Sequence, residues 1–113
     1  MADSCLFCRI ARGDIPATII AENARCIAFR DINAQAPVHA LVVPREHVTS
    51  LNDLTDGTLF GEMALLAQQV ARDEGIAESG WRFVVNTNRD GGQSVYHLHG
   101  HILGGRALGW PPG

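Results

Sequence analysis

The 113-residue sequence lacks the features of several large classes of protein. It has no apolar run near the ~20 residues that a membrane-spanning helix requires. Its N-terminus has no basic region followed by an apolar stretch, so we do not expect a secretory signal. Three cysteines are too few, and odd in number, for a disulfide framework. We therefore expect a cytoplasmic protein with no membrane partner.

The sequence also has little excess of either positive or negative charge. Charged residues make up 19% of the chain, and the formal net charge is -3. This gives no electrostatic reason to expect nucleic acid as a partner. A short nucleotide needs no basic surface, because a few backbone amides and histidines can bind its phosphate. Since 46% of the residues are hydrophobic, the chain can bury a core, and its length fits a single domain over residues 1–113.

Two helices are predicted from local patterns. A short one near the N-terminus is expected to be capped by Asp3 or Ser4. Residues 56–73 carry apolar side chains at three- and four-residue spacing, which predicts the main helix. Thr55 is its expected N-cap, and Gly75 is expected to end it.

Strands are predicted around these helices from β-like runs bounded by turns. An α+β domain follows from the order of the elements, with a five-stranded, mainly antiparallel sheet and helices on one face. With only about five strands, the sheet has exposed edges, which favours a homodimer formed through an edge strand or through the long helix. The five predicted strands are residues 18–22, 25–30, 38–43, 81–86 and 96–103.

Residues 97–101 read His-Leu-His-Gly-His, so three histidines occupy alternate positions. On a strand, side chains two apart point to the same face. Such a row suggests metal binding, proton transfer or nucleophilic attack, because the ordinary pKa of histidine is roughly 6.5. His97 and His101 would be ~13 Å apart along the strand, near the limit for sharing one ion. A separate task for each histidine is therefore the better interpretation.

The loop before this row can bind an anion. Gly91, Gly92 and Ser94 can bring backbone N–H groups and a hydroxyl close to a phosphate. A neutral imidazole with one nitrogen held and the other free is a competent nucleophile toward phosphorus. A second histidine can stabilise the charge on the phosphoryl oxygens.

Over nearly its whole length the chain resembles the histidine triad (HIT) family, and within it the histidine triad nucleotide-binding branch. The resemblance implies a HIT-like fold, a homodimer, and hydrolysis of purine nucleoside 5'-phosphoramidates to an amine and a nucleoside monophosphate. No cofactor would be required for catalysis. The segments that carry the resemblance are Phe-Arg-Asp-Ile (29–32), Gln-Ala-Pro-Val-His (35–39), Val-Pro-Arg-Glu-His (43–47), Val-Val-Asn (84–86), Asp-Gly-Gly-Gln-Ser-Val-Tyr (90–96), the histidine row with Ile-Leu (97–103) and Trp-Pro-Pro-Gly (110–113).

The resemblance also implies roles for single residues. His99 would be the nucleophile and His101 would contact the α-phosphate. His39 and His97 would support them, and Ser94 would lie near the leaving-group nitrogen. The nucleotide-binding residues would be Asp31 at the ribose hydroxyls, Ile32 and Phe7 around the base, Asn86, Gly92 and Gln93 near the phosphate together with Ser94, His99 and His101, and Trp110 in a tail that reaches the partner's site.

Cys5 and Cys8 form a Cys-x-x-Cys pair, which can be half of a metal site. Some relatives, including the more distant galactose-1-phosphate uridylyltransferases, add a mid-chain histidine and the first triad histidine. By that resemblance Cys5, Cys8, His47 and His97 would bind a structural zinc. A closed four-ligand site leaves no open position for substrate. The alternative is a pair of buried thiols in a short helix, with His47 at the surface.

Gly100 departs from the family pattern, which has a sizeable apolar residue there. Glycine inside a strand costs roughly 0.5–1 kcal/mol. Either a large neighbouring side chain fills the space, or the strand is looser than in relatives. The second case would suit a weakly active nucleotide-binding regulatory adaptor. A dinucleotide polyphosphate hydrolase or nucleotidyl transferase is a third hypothesis, against which Ser94 and the Trp-Pro-Pro-Gly tail favour the phosphoramidate branch.

Overall fold

The computed structural model describes residues 4–113, which form helices on both sides of a five-stranded sheet. None of the helices in this range is both long and apolar enough to cross a membrane. The elements in chain order are α1 (Leu6–Ala11), β1 (Ile19–Glu22), β2 (Cys26–Arg30), β3 (Val38–Pro44), a 3-10 turn (Leu51–Asp53), α2 (Gly57–Asp73), β4 (Trp81–Val84), α3 (Asn88–Gly91) and β5 (Gly100–Gly104).

The strands lie in the order β1-β2-β3-β5-β4, and every neighbouring pair is antiparallel. In the centre, Val42 of β3 lies opposite Gly100 of β5, and His39 lies opposite Leu103. The predicted α+β class with a five-stranded, mainly antiparallel sheet is confirmed. The first three strands agree with their predicted ranges to within one residue at each end, while extension across a homodimer stays a prediction.

The two main helices pack on opposite faces of the sheet. Along β2, Cys26 and Ala28 face the core under α2, whereas Ile27 and Phe29 face Phe7 of α1. The prediction that both helices lie on one face is therefore wrong. Strand β3, which is apolar apart from His39, is buried on both faces, and such a nearly continuous apolar strand requires cover on both sides.

Helix α2 begins one residue later than predicted. Asp56 is its N-cap and accepts a hydrogen bond from the Thr58 N–H at 3.0 Å. Thr55, the predicted cap, is wrong by one position, because aspartate is the stronger capping residue of the two. Gly75 has a positive φ of 75° just after the C-cap, so the predicted end is confirmed.

Helix α1 begins at a cap that the sequence did not predict. Cys5 is the N-cap, and its Sγ accepts from the Cys8 N–H at 3.4 Å. Ser4, one of the two predicted caps, precedes it, and Asp3, the other, lies outside the described residues. A contact between Cys5 Sγ and His97 Nδ1 at 3.2 Å also fixes the sulfur. The contact with His97, which is distant in sequence, therefore favours Cys5 as the N-cap over the residue types that usually cap helices.

Strand β5 is shorter than predicted, because residues 96–99 are not paired with a neighbouring strand. Continued pairing would place residue 98 opposite Pro44, which has no N–H to donate. Leu98 donates instead to the Val48 carbonyl at 2.6 Å. The Leu98 side chain faces the core under α2, as the Ile102 side chain does. Side chains along the histidine row therefore still alternate between the two faces, although residues 96–99 are not paired as a strand. Strand β4 likewise ends at Val84, two residues before its predicted end.

The space left by Gly100 is filled by Phe83. A Cβ on Gly100 would lie 2.2 Å from two carbons of the Phe83 ring, well inside van der Waals contact. This ring in turn packs against Phe60 of α2, with 6.2 Å between ring centroids. Of the two alternatives for Gly100, the structure favours a large neighbour over a loose strand.

Candidate functional site

The three histidines of the row lie on the α1 side of the sheet, but they do not form one group. Phe7 of α1 packs edge-on against both His97 and His99, at ring-centroid distances of 6.0 and 5.0 Å. His99 and His101 are neighbours, with 5.0 Å between ring centroids. The row therefore divides into His97 on one side and the pair His99 and His101 on the other.

His99 has a defined tautomer. Its Nδ1–H donates to the His97 carbonyl at 2.7 Å, and a carbonyl can only accept, so Nε2 keeps its lone pair. The side chain is buried, and this burial lowers the pKa of His99. The imidazole is therefore neutral at neutral pH, the form that a nucleophile requires.

His39 and His101 form a chain of hydrogen bonds. The Gln35 N–H donates to His39 Nδ1 at 2.9 Å, so the proton of neutral His39 is on Nε2. This Nε2 lies 2.9 Å from His101 Nδ1 and 3.2 Å from Asp31 Oδ2. When His101 Nδ1 accepts, its own proton is on Nε2. Burial, with His99 and His39 nearby, lowers the pKa of His101 to about 4 although Asp31 opposes the shift.

A cavity of about 510 Å³ runs past these side chains. This volume is in the range of pockets that hold small molecules. The predicted site residues that line it are Phe7, Asp31, Ile32, His39, Ser94, His99 and His101.

Much of the apolar wall of this cavity is formed by residues that were not among the predicted site residues. Leu6 and Ile10 of α1 and the segment 15–18 line the same cavity. The sequence carried one signal for them, since the short helix has apolar residues at 6, 7 and 10 and is followed by Ile-Pro. That pattern alone does not distinguish a pocket wall from ordinary core packing.

Among residues 4–113, four predicted nucleotide contacts are not part of the cavity lining: Asn86, Gly92, Gln93 and Trp110. The Gln93 side chain is buried and donates to the carbonyls of Thr49 and Val95, and accepts from the Asn88 N–H. It therefore holds the loop that presents Ser94. Trp110 is 82% exposed and lies beside Arg82. Direct contact of these four residues with a nucleotide stays a prediction.

A second cluster lies on the other side of Phe7 and contains the four predicted metal ligands. Cys5 Sγ is 3.2 Å and Cys8 Sγ 3.4 Å from His97 Nδ1. Cys8 Sγ is also 3.4 Å from His47 Nδ1. All four ligand atoms lie within 4.8 Å of one another, although His47 is exposed.

The donor set fits zinc. Bonds of ~2.0–2.3 Å around a tetrahedral ion place its ligand atoms roughly 3.3–3.8 Å apart, close to these distances. His97 Nε2 donates to the Pro44 carbonyl at 2.8 Å, so Nδ1 keeps its lone pair for an ion. Burial lowers the pKa of His97 to about 4 and, with Cys5 nearby, raises the pKa of Cys8 to about 11. Both groups are therefore neutral without a cation, and a metal would stabilise the thiolate.

Comparison with known proteins agrees with this geometry. The family model described as HIT domain matches residues 12–108. The chain is 45% identical over 111 residues to a purine nucleoside phosphoramidase of Escherichia coli, covering 96% of this chain and 93% of that protein. The crystal structure of a HIT family hydrolase from Legionella pneumophila superposes with a TM-score of 0.94 at 48% identity, covering 97% and 100% of the two chains. A zinc-bound histidine triad family protein from Mycobacterium smegmatis superposes with a TM-score of 0.82 at 32% identity, covering 94% and 78%.

Proposed function

Because the chain belongs to the HIT domain family, we propose that it is a purine nucleoside 5'-phosphoramidate hydrolase, which cleaves a P–N bond. One observation carries this proposal. His99 is buried and neutral, its Nδ1–H is held by the His97 carbonyl, and its Nε2 lone pair is free beside a cavity of about 510 Å³. The similarity to a protein named purine nucleoside phosphoramidase supports the choice of substrate.

The substrate would lie along the cavity with its phosphate at the histidines. The apolar wall, which includes Phe7 and Ile32, suits a purine base. Asp31 has a carboxylate at the cavity, which can accept hydrogen bonds from the ribose hydroxyls. The loop with Asn86, Gly92 and Gln93 would help to enclose the phosphate.

The reaction would take place in two displacements at phosphorus. In the first, His99 Nε2 attacks phosphorus, the P–N bond breaks, and the amine leaves with a proton taken from solvent beside the Ser94 hydroxyl. In the second, water attacks the phosphorus and releases a proton to solvent, the bond to His99 breaks with its electron pair returning to Nε2, and the nucleoside monophosphate is released. His101 would donate its Nε2–H to a phosphoryl oxygen in both steps.

Zinc would have a structural role at Cys5, Cys8, His47 and His97. A closed site with four protein ligands supplies no open position, so catalysis would need no cofactor. The ligands come from α1 and its N-cap, from the segment after β3 and from the histidine row. A bound ion would therefore link α1, which carries part of the pocket wall, to the row that carries His99.

We further propose a homodimer in which Trp110 reaches the partner's site. Trp110 is 82% exposed on this chain, and a large aromatic side chain without a core of its own is common at interfaces.

A fluorogenic adenosine phosphoramidate, with diadenosine polyphosphate as the competing substrate, tests the function. We expect the wild type to cleave the phosphoramidate in preference to the polyphosphate. His99→Ala should lose at least about a thousandfold in turnover, as removal of a covalent nucleophile does.

Equal turnover by the wild type and His99→Ala would reject His99 as the nucleophile. Preferred cleavage of diadenosine polyphosphate would favour the dinucleotide branch. Binding of adenosine monophosphate without any turnover would favour the regulatory adaptor, whose support from Gly100 is weakened by the Phe83 ring that fills the space.

A further inference from the structure

One proton in the pocket faces two acceptors. The Gln35 N–H occupies His39 Nδ1, so His39 has a single proton to donate, on Nε2. Within reach of this proton are His101 Nδ1 at 2.9 Å and Asp31 Oδ2 at 3.2 Å. His39 is therefore shared between the phosphate-binding histidine and a carboxylate.

Asp31 is held in this position by its own neighbours. Its backbone N–H donates to the His39 carbonyl at 3.0 Å, which sets the two residues side by side. Its Oδ1 accepts from the Asn33 N–H at 2.9 Å, so Oδ2 is the oxygen left for His39. The side chain is 18% exposed and lines the cavity, so a ligand can reach it.

The same three side chains could hold a metal ion by distance alone, since their ligand atoms lie within 4.8 Å of one another. Their hydrogen bonds argue against it. A metal would need the Nε2 lone pair of His39 and hence a proton on Nδ1, where the Gln35 N–H already donates. Asp31, His39 and His101 are therefore better described as a hydrogen-bonded group with His39 at its centre.

We propose that Asp31 is a positioning residue that senses the sugar of the substrate. Without sugar hydroxyls, Asp31 competes with His101 for the proton of His39. When a ribose hydroxyl donates to Asp31 Oδ2, the carboxylate becomes a weaker acceptor for His39, and the proton of His39 shifts toward His101. His101 then presents Nε2–H to the phosphate. This inference rests on the proposed function and makes the ribose a requirement for fast turnover as well as for binding.

The kinetic test uses adenosine phosphoramidate and its 2',3'-dideoxy counterpart with the wild type and Asp31→Asn. The asparagine keeps an acceptor for Asn33 and removes the charge that competes for the proton of His39. In the wild type we expect kcat to fall about two- to tenfold for the dideoxy substrate, the range of one hydrogen bond. In Asp31→Asn we expect kcat for the dideoxy substrate to rise above the wild-type value, while KM for the ribose substrate increases.

A residue that only bound the ribose would leave dideoxy turnover unchanged on substitution, and a merely structural residue would lower kcat for both substrates. Either result would overturn the proposal. If Asp31→Asn does not fold, the two substrates with the wild type still test the proposal, because equal kcat values for them would overturn it.

Ring ¹⁵N spectra of the wild type test the proposal without turnover. Adenosine monophosphate should shift the Nδ1 signal of His101 toward that of a hydrogen-bonded acceptor, and its 2',3'-dideoxy analogue should do so less. Identical shifts with both nucleotides would contradict sensing of the sugar. A difference between the shifts, in a protein that cleaves no phosphoramidate, would reject the proposed function and keep the role of Asp31.

Discussion

Two histidine clusters lie on the same side of the sheet and differ in what they can bind. In each of them, a backbone group holds one nitrogen of a key imidazole and leaves the other nitrogen for the site. The metal cluster consists of Cys5, Cys8, His47 and His97, and the pocket cluster of Asp31, His39, His99 and His101.

The difference comes from the backbone partner. Pro44 offers a carbonyl to His97, so the free nitrogen is a lone pair that faces two sulfurs. Gln35 offers an N–H to His39, so the free nitrogen carries a proton and starts a hydrogen-bond chain. The main-chain partner of each imidazole therefore leaves His97 with a nitrogen suited to bind a metal and His39 with a nitrogen that donates a proton.

The largest expected effect is that of His101→Ala, which should lower the activity of the pocket cluster without changing the metal cluster. Loss of one donor to the phosphoryl oxygens should lower kcat about 100- to 1000-fold, equivalent to about 3–4 kcal/mol. Zinc content, measured by atomic absorption, should stay at the wild-type level because His101 is not part of the metal cluster. Loss of zinc together with activity would show that the clusters are not independent.

Cys8→Ser should break the metal cluster instead. With zinc at about 100 times its dissociation constant, binding adds about 2.7 kcal/mol to the free energy of unfolding, and this variant should lose it. Zinc analysis and chemical denaturation measure the two effects. Cys26→Ala is the matched control. Cys26 is buried on the opposite face of the sheet, so this variant should keep the metal. A wild type without zinc, or full zinc in Cys8→Ser, would reject the site.

Gly100→Ala tests whether the pocket depends on packing from the far side of the sheet. A methyl group would collide with the Phe83 ring, and overpacking of this kind costs about 1–3 kcal/mol. We expect lower stability and turnover with unchanged zinc. Addition of Phe83→Leu to this variant should restore part of both losses, whereas additive losses would exclude coupling between the two positions.

The smallest expected effect is a pH dependence of stability. The pKa of His101 is about 4 in the folded chain and about 6.5 when unfolded, so the unfolded state takes up a proton first as pH falls. Stability from this group should therefore decrease as pH falls from 6.5 toward 4, by about 1 kcal/mol between pH 7 and 5.5. Denaturation at both pH values should give a smaller decrease in His101→Gln, and an equal decrease would contradict the assignment.

The fold was predictable where the pattern is local. Apolar spacing located α2 because the helical period follows from backbone geometry, and short β-like runs bounded by turns located the strands. The prediction was wrong at the cap of α1, at the start of β5 and on the side that α1 covers. In each case the deciding partner is distant in sequence, such as His97 for Cys5 or Pro44 for the row.

The sequence by itself determined which residues can share a face, because alternation places His97, His99 and His101 together and Leu98 and Ile102 in the core. Only the tertiary structure decided what each histidine can do. The hydrogen-bond partners that select the free nitrogen are main-chain groups, which nearly every residue type supplies and no sequence motif records. The tertiary structure therefore places His97 in the metal cluster, and His99 and His101 in the pocket, although the three residues belong to one row.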